Sequence, residues 1–262
     1  MSHSELETAL RELALGGLRF FTSTGSTNDE ALAWAASGAR DLSLVVADEQ
    51  TSGRGREGRK WFTPPGAGLA FSLVLHPNPQ EHEHISRFSG LGALALVGAL
   101  KKYGLDAQVK WPNDVLIRRK KVAGVLVEVV WMGTEVDSLV LGMGINVSHG
   151  SLPAGEELNF PATSVEAEAG RKVARFELLK ELLAELISLR ASLPSDGFLN
   201  AWQEALAFKG EKVLLWEGKA APISAVILGL DSDGSLKVRL SAGDERSIQF
   251  GEVHLRLATP ED

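Results

Sequence analysis

Gln108–Arg118 (QVKWPNDVLIR), Lys121–Trp131 (KVAGVLVEVVW) and Asp137–Val147 (DSLVLGMGINV) are three successive apolar runs of strand character, separated by short polar turns, the first of them the basic RRKK. Consecutive strands joined this tightly pair with one another, so the stretch predicts an antiparallel or mixed sheet. Pro112 breaks the first run, since proline cannot donate to a sheet ladder. Upstream, Leu42–Gln50 (LSLVVADEQ) and Gly68–Pro77 (GLAFSLVLHP) read as further strands, the first running into the loop TSGRGREGRKW. Ile85–Tyr103 carries an apolar pattern of helical length closed by Gly104. Leu6, Leu10 and Leu13 mark a short amphipathic helix, and Ser23–Ser37 (STGSTNDEALAWAAS) opens a second with Ser, Thr, Asn and Asp at its mouth.

Downstream the text turns loop-like between His149 and Val173, then gives an amphipathic helix over Phe176–Leu193 and a shorter one over Phe198–Phe208. From Gly210 the character changes to EKVLLWEG, AAPISAVILGL, SLKVRL, ERSIQF and EVHLRL, with DSDG and SAGD among the turns. Short strands at this spacing suggest a small barrel. The expected architecture is α+β, with a mixed-sheet domain over 1–208 and a barrel over 209–262.

The 262 residues are 44% hydrophobic and 23% charged, enough apolar material for one full core and a satellite. A formal net charge of −7 gives no global attraction to nucleic acid or to an anionic membrane, so any basic site is local. Cysteine is absent, which removes disulfides, thiolate metal sites and thiol nucleophiles and favours the cytosol. The N-terminus lacks the pattern of a signal peptide, and no apolar stretch reaches the ~20 residues of a membrane span.

Gly53-Arg54-Gly55-Arg56-Glu57-Gly58-Arg59-Lys60-Trp61 matches G-x-G-x-x-G after a strand, but RKWFTPPGAG follows, which cannot be the helix that a dinucleotide fingerprint must open. A Walker A loop is equally absent. What remains is a loop whose glycines let backbone amides approach an anion and whose arginines supply forked donors, against the plainer alternative of a solvated basic turn. Lys110-Trp111-Pro112-Asn113-Asp114 puts a cation, an amide and a carboxylate on a proline-stiffened turn. Gly142-Met143-Gly144-Ile145-Asn146 offers backbone for a ligand to lie against, although glycine in a strand more often marks a bulge. Ser26-Thr27-Asn28 alone is a helix cap, and Lys121 before Val122-Ala123-Gly124 alone is a surface lysine. His82 and His84 read as solvated, and no H-E-x-x-H or G-x-S-x-G occurs.

Taken in order, these features resemble the biotin–protein ligases: STN, a glutamine three residues ahead of GRGRxGRxW, KWPND, K-x-AG and GxGIN, then ATSVEAEAG before an arginine-bearing helix. The similarity runs from about Phe20 to the C-terminus. It implies a catalytic domain related to the class II aminoacyl-tRNA synthetases, followed by an SH3-like barrel. It places Ser26, Thr27, Asn28, Gln50, Arg54, Gly55, Arg56, Lys121 and Gly124 around biotin. Arg56, Arg59, Trp61, Lys110, Asn113, Asp114 and Asn146 fall where the family handles ATP, the adenylate or Mg2+, with the individual metal contacts unassigned. Arg54, Arg56, Lys110 and Lys121 are the charges suited to catalysis. The implied partner is a biotin carboxyl carrier protein or domain, and homodimerisation is left open. Some relatives carry an N-terminal winged helix of about sixty residues, which the residues before Ser26 are too few to form, so specific DNA binding is not expected. The rivals are a lipoate–protein ligase, whose arginine-serine-glycine loop is missing, and a small-molecule or RNA-binding module.

Overall fold

In a computed structural model, residues 3–153, 160–217, 221–249 and 253–257 are described. Helix α1 (His3–Leu10) leads into β1 (Gly17–Thr24), α2 (Thr27–Ala36), β2 (Ser43–Gln50) and β3 (Gly68–Leu75), followed by α3 (Arg87–Lys101). Strands β4 (Ala107–Lys110), β5 (Asp114–Ile117), β6 (Lys120–Met132) and β7 (Glu135–Asn146) come next, then α4 (Val165–Ala169), α5 (Arg175–Arg190) and α6 (Asp196–Glu204). The chain finishes with β8 (Lys212–Glu217), β9 (Ile223–Leu230), β10 (Leu236–Leu240), β11 (Glu245–Ile248) and β12 (Val253–Leu257).

The first sheet has the order β1-β2-β3-β7-β6-β5-β4, and only β1 and β2 run parallel. The second is antiparallel, in the order β11-β10-β9-β8-β12. The α+β reading with a small C-terminal β unit is what the molecule shows. One face of the first sheet, carrying Leu44, Val46, Phe71, Leu73, Leu141 and Met143, packs on α3 and α5. Each such side chain contributes roughly 1.5–3 kcal/mol on burial. The same core continues into the second sheet through Val213, Leu215, Ile227 and Val238. On the opposite face α2 buries Ala31 and Ala35 against Val45, Val74 and Val140, leaving the rest of that face without a covering helix among the described residues.

Several local expectations change. GLRFFTST forms β1, an edge strand whose partly buried residues lack the in–out alternation that would reveal it. The break at Pro112 is the turn of a β4–β5 hairpin, with the Trp111–Pro112 peptide cis. Helix α6 stops at Glu204 because the next residues pair with β4: Val109 N donates to Ala205 O at 2.7 Å and Ala207 N to Val109 O at 2.8 Å. The loop over 149–173 contains α4, capped by Ser164, while 154–159 lie outside the described residues, as do Gly218, Ala220, Phe250 and Glu252 of the barrel segments.

Candidate active site

Strand register decides what the uncovered face offers. Directly opposed residues run across the sheet as Ala47, Ala70, Gly144, Gly124, Asp114 and Lys110. Opposed residues share a face, so this row is a floor of small side chains closed at one end by charge. A second row, two residues or roughly 7 Å along, is Val45, Ser72, Gly142 and Leu126. The β6–β7 register is unbroken through this stretch, its only shift lying at Val130/Trp131, so the glycines of GMGIN are floor and not a bulge. A Cβ at Gly142 would collide with the Asn28 carboxamide, and one at Gly144 with the Trp61 indole. A Cβ at Gly124 would press on Lys121 Nζ at 3.3 Å and on Trp61 at 3.4 Å.

At the Gly142 end stands the mouth of α2. Ser26, Thr27 and Asn28 are all buried. Ser26 has the extended backbone of a cap residue but its side chain makes no capping hydrogen bond, so the cap reading of the triplet explains little. Thr27 N donates to Gln50 Oε1 at 2.8 Å, and Gln50 Nε2 donates to Thr63 Oγ1 at 3.3 Å. Asn28 Oδ1 accepts from Ser72 at 2.6 Å while its Nδ2 donates to Glu128 at 2.6 Å, which fixes the orientation of the amide. An asparagine amide has two hydrogens and two lone pairs to offer. These contacts use one of each, so Asn28 retains a donor and an acceptor for a planar, amide-like group lying over Gly142.

At the other end Asp114, buried, lies 2.5 Å from Lys121 Nζ and 3.5 Å from Lys110 Nζ. Lys110 stands over the Phe160 ring and Lys121 over Trp61. Asn113 Nδ2 donates to Val125 O at 2.7 Å and Asn146 Nδ2 to Thr163 O at 3.2 Å, tying both motif turns to neighbouring backbone. Burial lowers the Lys110 pKa, with the Asp114 carboxylate working against it. For Asp114 burial is the largest influence and raises the pKa, but Lys121 and Lys110 together outweigh it and leave the carboxyl below its ordinary value. A carboxyl with a depressed folded-state pKa contributes stability that is present above the ordinary value of about 4 and lost as pH falls through the depressed one. Acid unfolding followed by circular dichroism is therefore expected to lose this contribution below pH ~4, with a shallower acid limb in Asp114→Asn; identical limbs would refute the assignment.

The loop from Gly53 to Trp61 crosses between these ends. Gly53 sits so close to Trp61 O that no side chain fits there. Arg54 bridges Asp29 at 2.5 Å and Glu128 at 3.1 Å, beside the Asn28 amide. Gly55 forms the neck of a short turn, its N–H donating to Arg59 O at 2.7 Å. Arg56 is half-buried; burial lowers its pKa, opposed by the charges of Glu57 and Asp114. Arg59 is exposed and paired with Glu57 at 3.0 Å, and its charge reaches Lys110. The sequence-predicted residues thus gather along one floor, with Asn146 two residues beyond Gly144 on β7, away from the Gly142 end. Sequence reading missed Ser72 and Glu128, the two partners of Asn28. Ser72 is the lone polar side chain of β3 and Glu128 the lone charge in the apolar run from Val122 to Met132, and that isolation was the available signal.

A backbone floor with a buried amide at one end and clustered cations round a carboxylate at the other suits a small flat molecule bearing an anionic tail. A family model described as the biotin/lipoate A/B protein ligase family matches residues 20–146. Over 228 residues the chain is 38% identical to the biotin–[acetyl-CoA-carboxylase] ligase of Paracoccus denitrificans, covering 84% of this chain and 93% of that relative. It is 30% identical over 258 residues to the bifunctional ligase/repressor BirA of Bacillus subtilis, covering 93% of this chain and 76% of the relative. Among solved structures, the biotin protein ligase from Aquifex aeolicus in complex with biotin and ATP aligns with a TM-score of 0.79 at 30% identity, over 92% of this chain and 99% of that one.

Proposed function

The chain belongs to the biotin/lipoate A/B protein ligase family, and on that premise we propose that it is a biotin–protein ligase. Biotin carboxylate attacks the α-phosphate of Mg-ATP to give biotinyl-5'-AMP and pyrophosphate. A lysine amine of a biotin carboxyl carrier protein or domain then attacks the mixed anhydride and releases AMP. The observation that carries this reading is the pairing, on one glycine floor, of a buried amide fixed by Ser72 and Glu128 with the cations around Asp114.

The ureido ring of biotin is a planar donor–acceptor group of the kind that Asn28, Thr27 and Gln50 can meet, and Ser26 lies at the same end. Its carboxylate would then point toward Lys121, Gly124 and Trp61. No protein nucleophile is needed, because the carboxylate of biotin is itself the nucleophile. What the chain supplies is offsetting charge where anion meets anion, from Arg56, Lys110 and Lys121. Arg54, expected from the sequence in the same role, is instead paired with Asp29 and Glu128 beside the Asn28 amide and belongs to the biotin end. Arg59, Trp61, Asn113, Asp114 and Asn146 are assigned to ATP and the adenylate. When bound with ATP, Mg2+ would offset phosphate charge, and buried Asp114 is the carboxylate at the cationic cluster that could help to hold it.

The lipoate–protein ligase reading has no use for the ordered amide at the α2 mouth, and an RNA-binding module none for a buried one. No helix among the described residues is long and apolar enough to cross a membrane. A cytoplasmic location, the division at 208/209, the absence of specific DNA binding and any homodimer belong to the proposal. Ser72→Ala should leave Asn28 Oδ1 without its donor and raise the biotin KM about tenfold with little change for ATP, the scale of one buried hydrogen bond. Steady-state kinetics on the folded variant test it, and equal effects on both substrates would count against a role at the biotin end. The functional test is transfer of labelled biotin to a carrier domain. Labelling that requires both biotin and ATP is expected; labelling with lipoate at the same rate would replace the assignment.

A further inference from the structure

The β9–β10 turn, Asp231–Gly234, exposes the side chains of Ser232 and Asp233 but buries Gly234. It is docked on the first unit at the back of the cationic cluster. Trp111 is fully buried, and its Nε1 donates to Gly234 O at 3.1 Å. Arg87 NH2 donates to Ser232 O at 2.6 Å and Ser86 Oγ to Asp233 O at 2.7 Å, so three successive carbonyls of the turn are gripped. The Asp233 carboxylate in turn holds Ser235, accepting from its N–H at 2.9 Å and its hydroxyl at 2.8 Å. Gly234 has φ +86°, a left-handed conformation, and a Cβ there would strike Trp202 at 2.9 Å. Only glycine lets the turn come this close.

Trp111 is the residue between Lys110 and the Pro112-Asn113-Asp114 turn, so what holds its indole holds the backbone from which Lys110 and Asp114 project. Ser89 Oγ of α3 fixes the same turn by donating to Pro112 O at 2.9 Å. The β5–β6 turn that follows the hairpin is tied to the second unit as well, by Arg119 to both Glu211 oxygens at 3.0 and 3.1 Å. We infer that the Asp231–Gly234 turn and Trp111 are positioning residues for the adenylation step, setting the Lys110–Asp114 cluster through the Trp111–Gly234 hydrogen bond. The inference rests on the reading of that cluster as the ATP site. A turn that merely stabilised the fold would change melting temperature and leave the kinetics of folded protein alone; a positioning turn changes ATP use selectively.

The experiment is pyrophosphate exchange on full-length wild type, Trp111→Phe, Asp233→Ala and the double variant, each first shown by thermal melts to fold. Trp111→Phe deletes the indole N–H while keeping an aromatic ring. Asp233→Ala loosens the turn from its exposed side and keeps the test open should Trp111→Phe fail to fold. In each single variant the ATP KM should rise about fivefold, the scale of one neutral hydrogen bond, with the biotin KM within twofold of wild type. The double variant should be no worse than the poorer single one, since both act on one contact. Wild-type ATP kinetics in a folded variant, parallel rises for both substrates, or strictly multiplicative effects in the double variant would overturn the inference while leaving the ligase reading intact. Absence of exchange in the wild-type protein would overturn both.

Discussion

Gly142→Ala is expected to reduce kcat/KM for biotin by about 100-fold, roughly 2.8 kcal/mol, while the protein still folds. The added methyl would enter the space of the Asn28 carboxamide. Strand β7 cannot yield, because it is hydrogen-bonded on both sides, to β3 and to β6, throughout this stretch. Asn28 must therefore turn away, giving up Ser72 and Glu128 together and with them the fixed orientation of the amide. The loss should fall on the biotin KM more than on the ATP KM. Gly144→Ala provides the contrast, since the group it meets is Trp61, which stands on a loop and not on a strand paired on both sides. Its defect should be smaller and should appear in ATP use and adenylate retention. Comparable biotin kinetics for wild type and a folded Gly142→Ala would remove Asn28 from the site.

Arg56→Ala should slow adenylation and let the adenylate escape before transfer. The guanidinium is half-buried within reach of the Asp114 charge, on a loop that rests on the glycine floor through Trp61. Burial lowers its pKa, but arginine stays protonated at neutral pH, so the charge persists where a phosphate would be held. Loss of one such charged contact costs on the order of 1.5–3 kcal/mol, or one to two decades in rate or affinity. The measurement is single-turnover formation of biotinyl-5'-AMP followed by its release, read as biotin appearing on bystander lysines. An unchanged release rate would end the assignment. Lys121→Ala should fail differently, mainly in the placement of biotin, because its ammonium lies over Trp61 and beside Gly124.

Much of this site could be read before any fold was known, because the motifs that carry it are contiguous in sequence: STN at a helix mouth, the glycine-arginine loop, KWPND on a turn and GMGIN on a strand. Less legible was what joins them. The floor depends on β7 inserting between β3 and β6, which no local periodicity can reveal. The isolated polarity of Ser72 and Glu128 could be seen, but not its purpose, since that comes from facing Asn28 across 44 and 100 residues of sequence. Strand β1 escaped because an edge strand covered unevenly on both faces loses its alternation. The end of α6 was overrun because Leu206 and Ala207 are apolar enough to continue a helix, yet pair with β4 instead.

On the proposed function, this chain activates biotin as an adenylate without any carrier present. The measurement is made on purified protein with labelled pyrophosphate, Mg-ATP and biotin. Exchange of label into ATP that depends on biotin, needs no carrier and is not supported by lipoate is the expected result. No biotin-dependent exchange from folded protein, or exchange supported equally by lipoate, would contradict it.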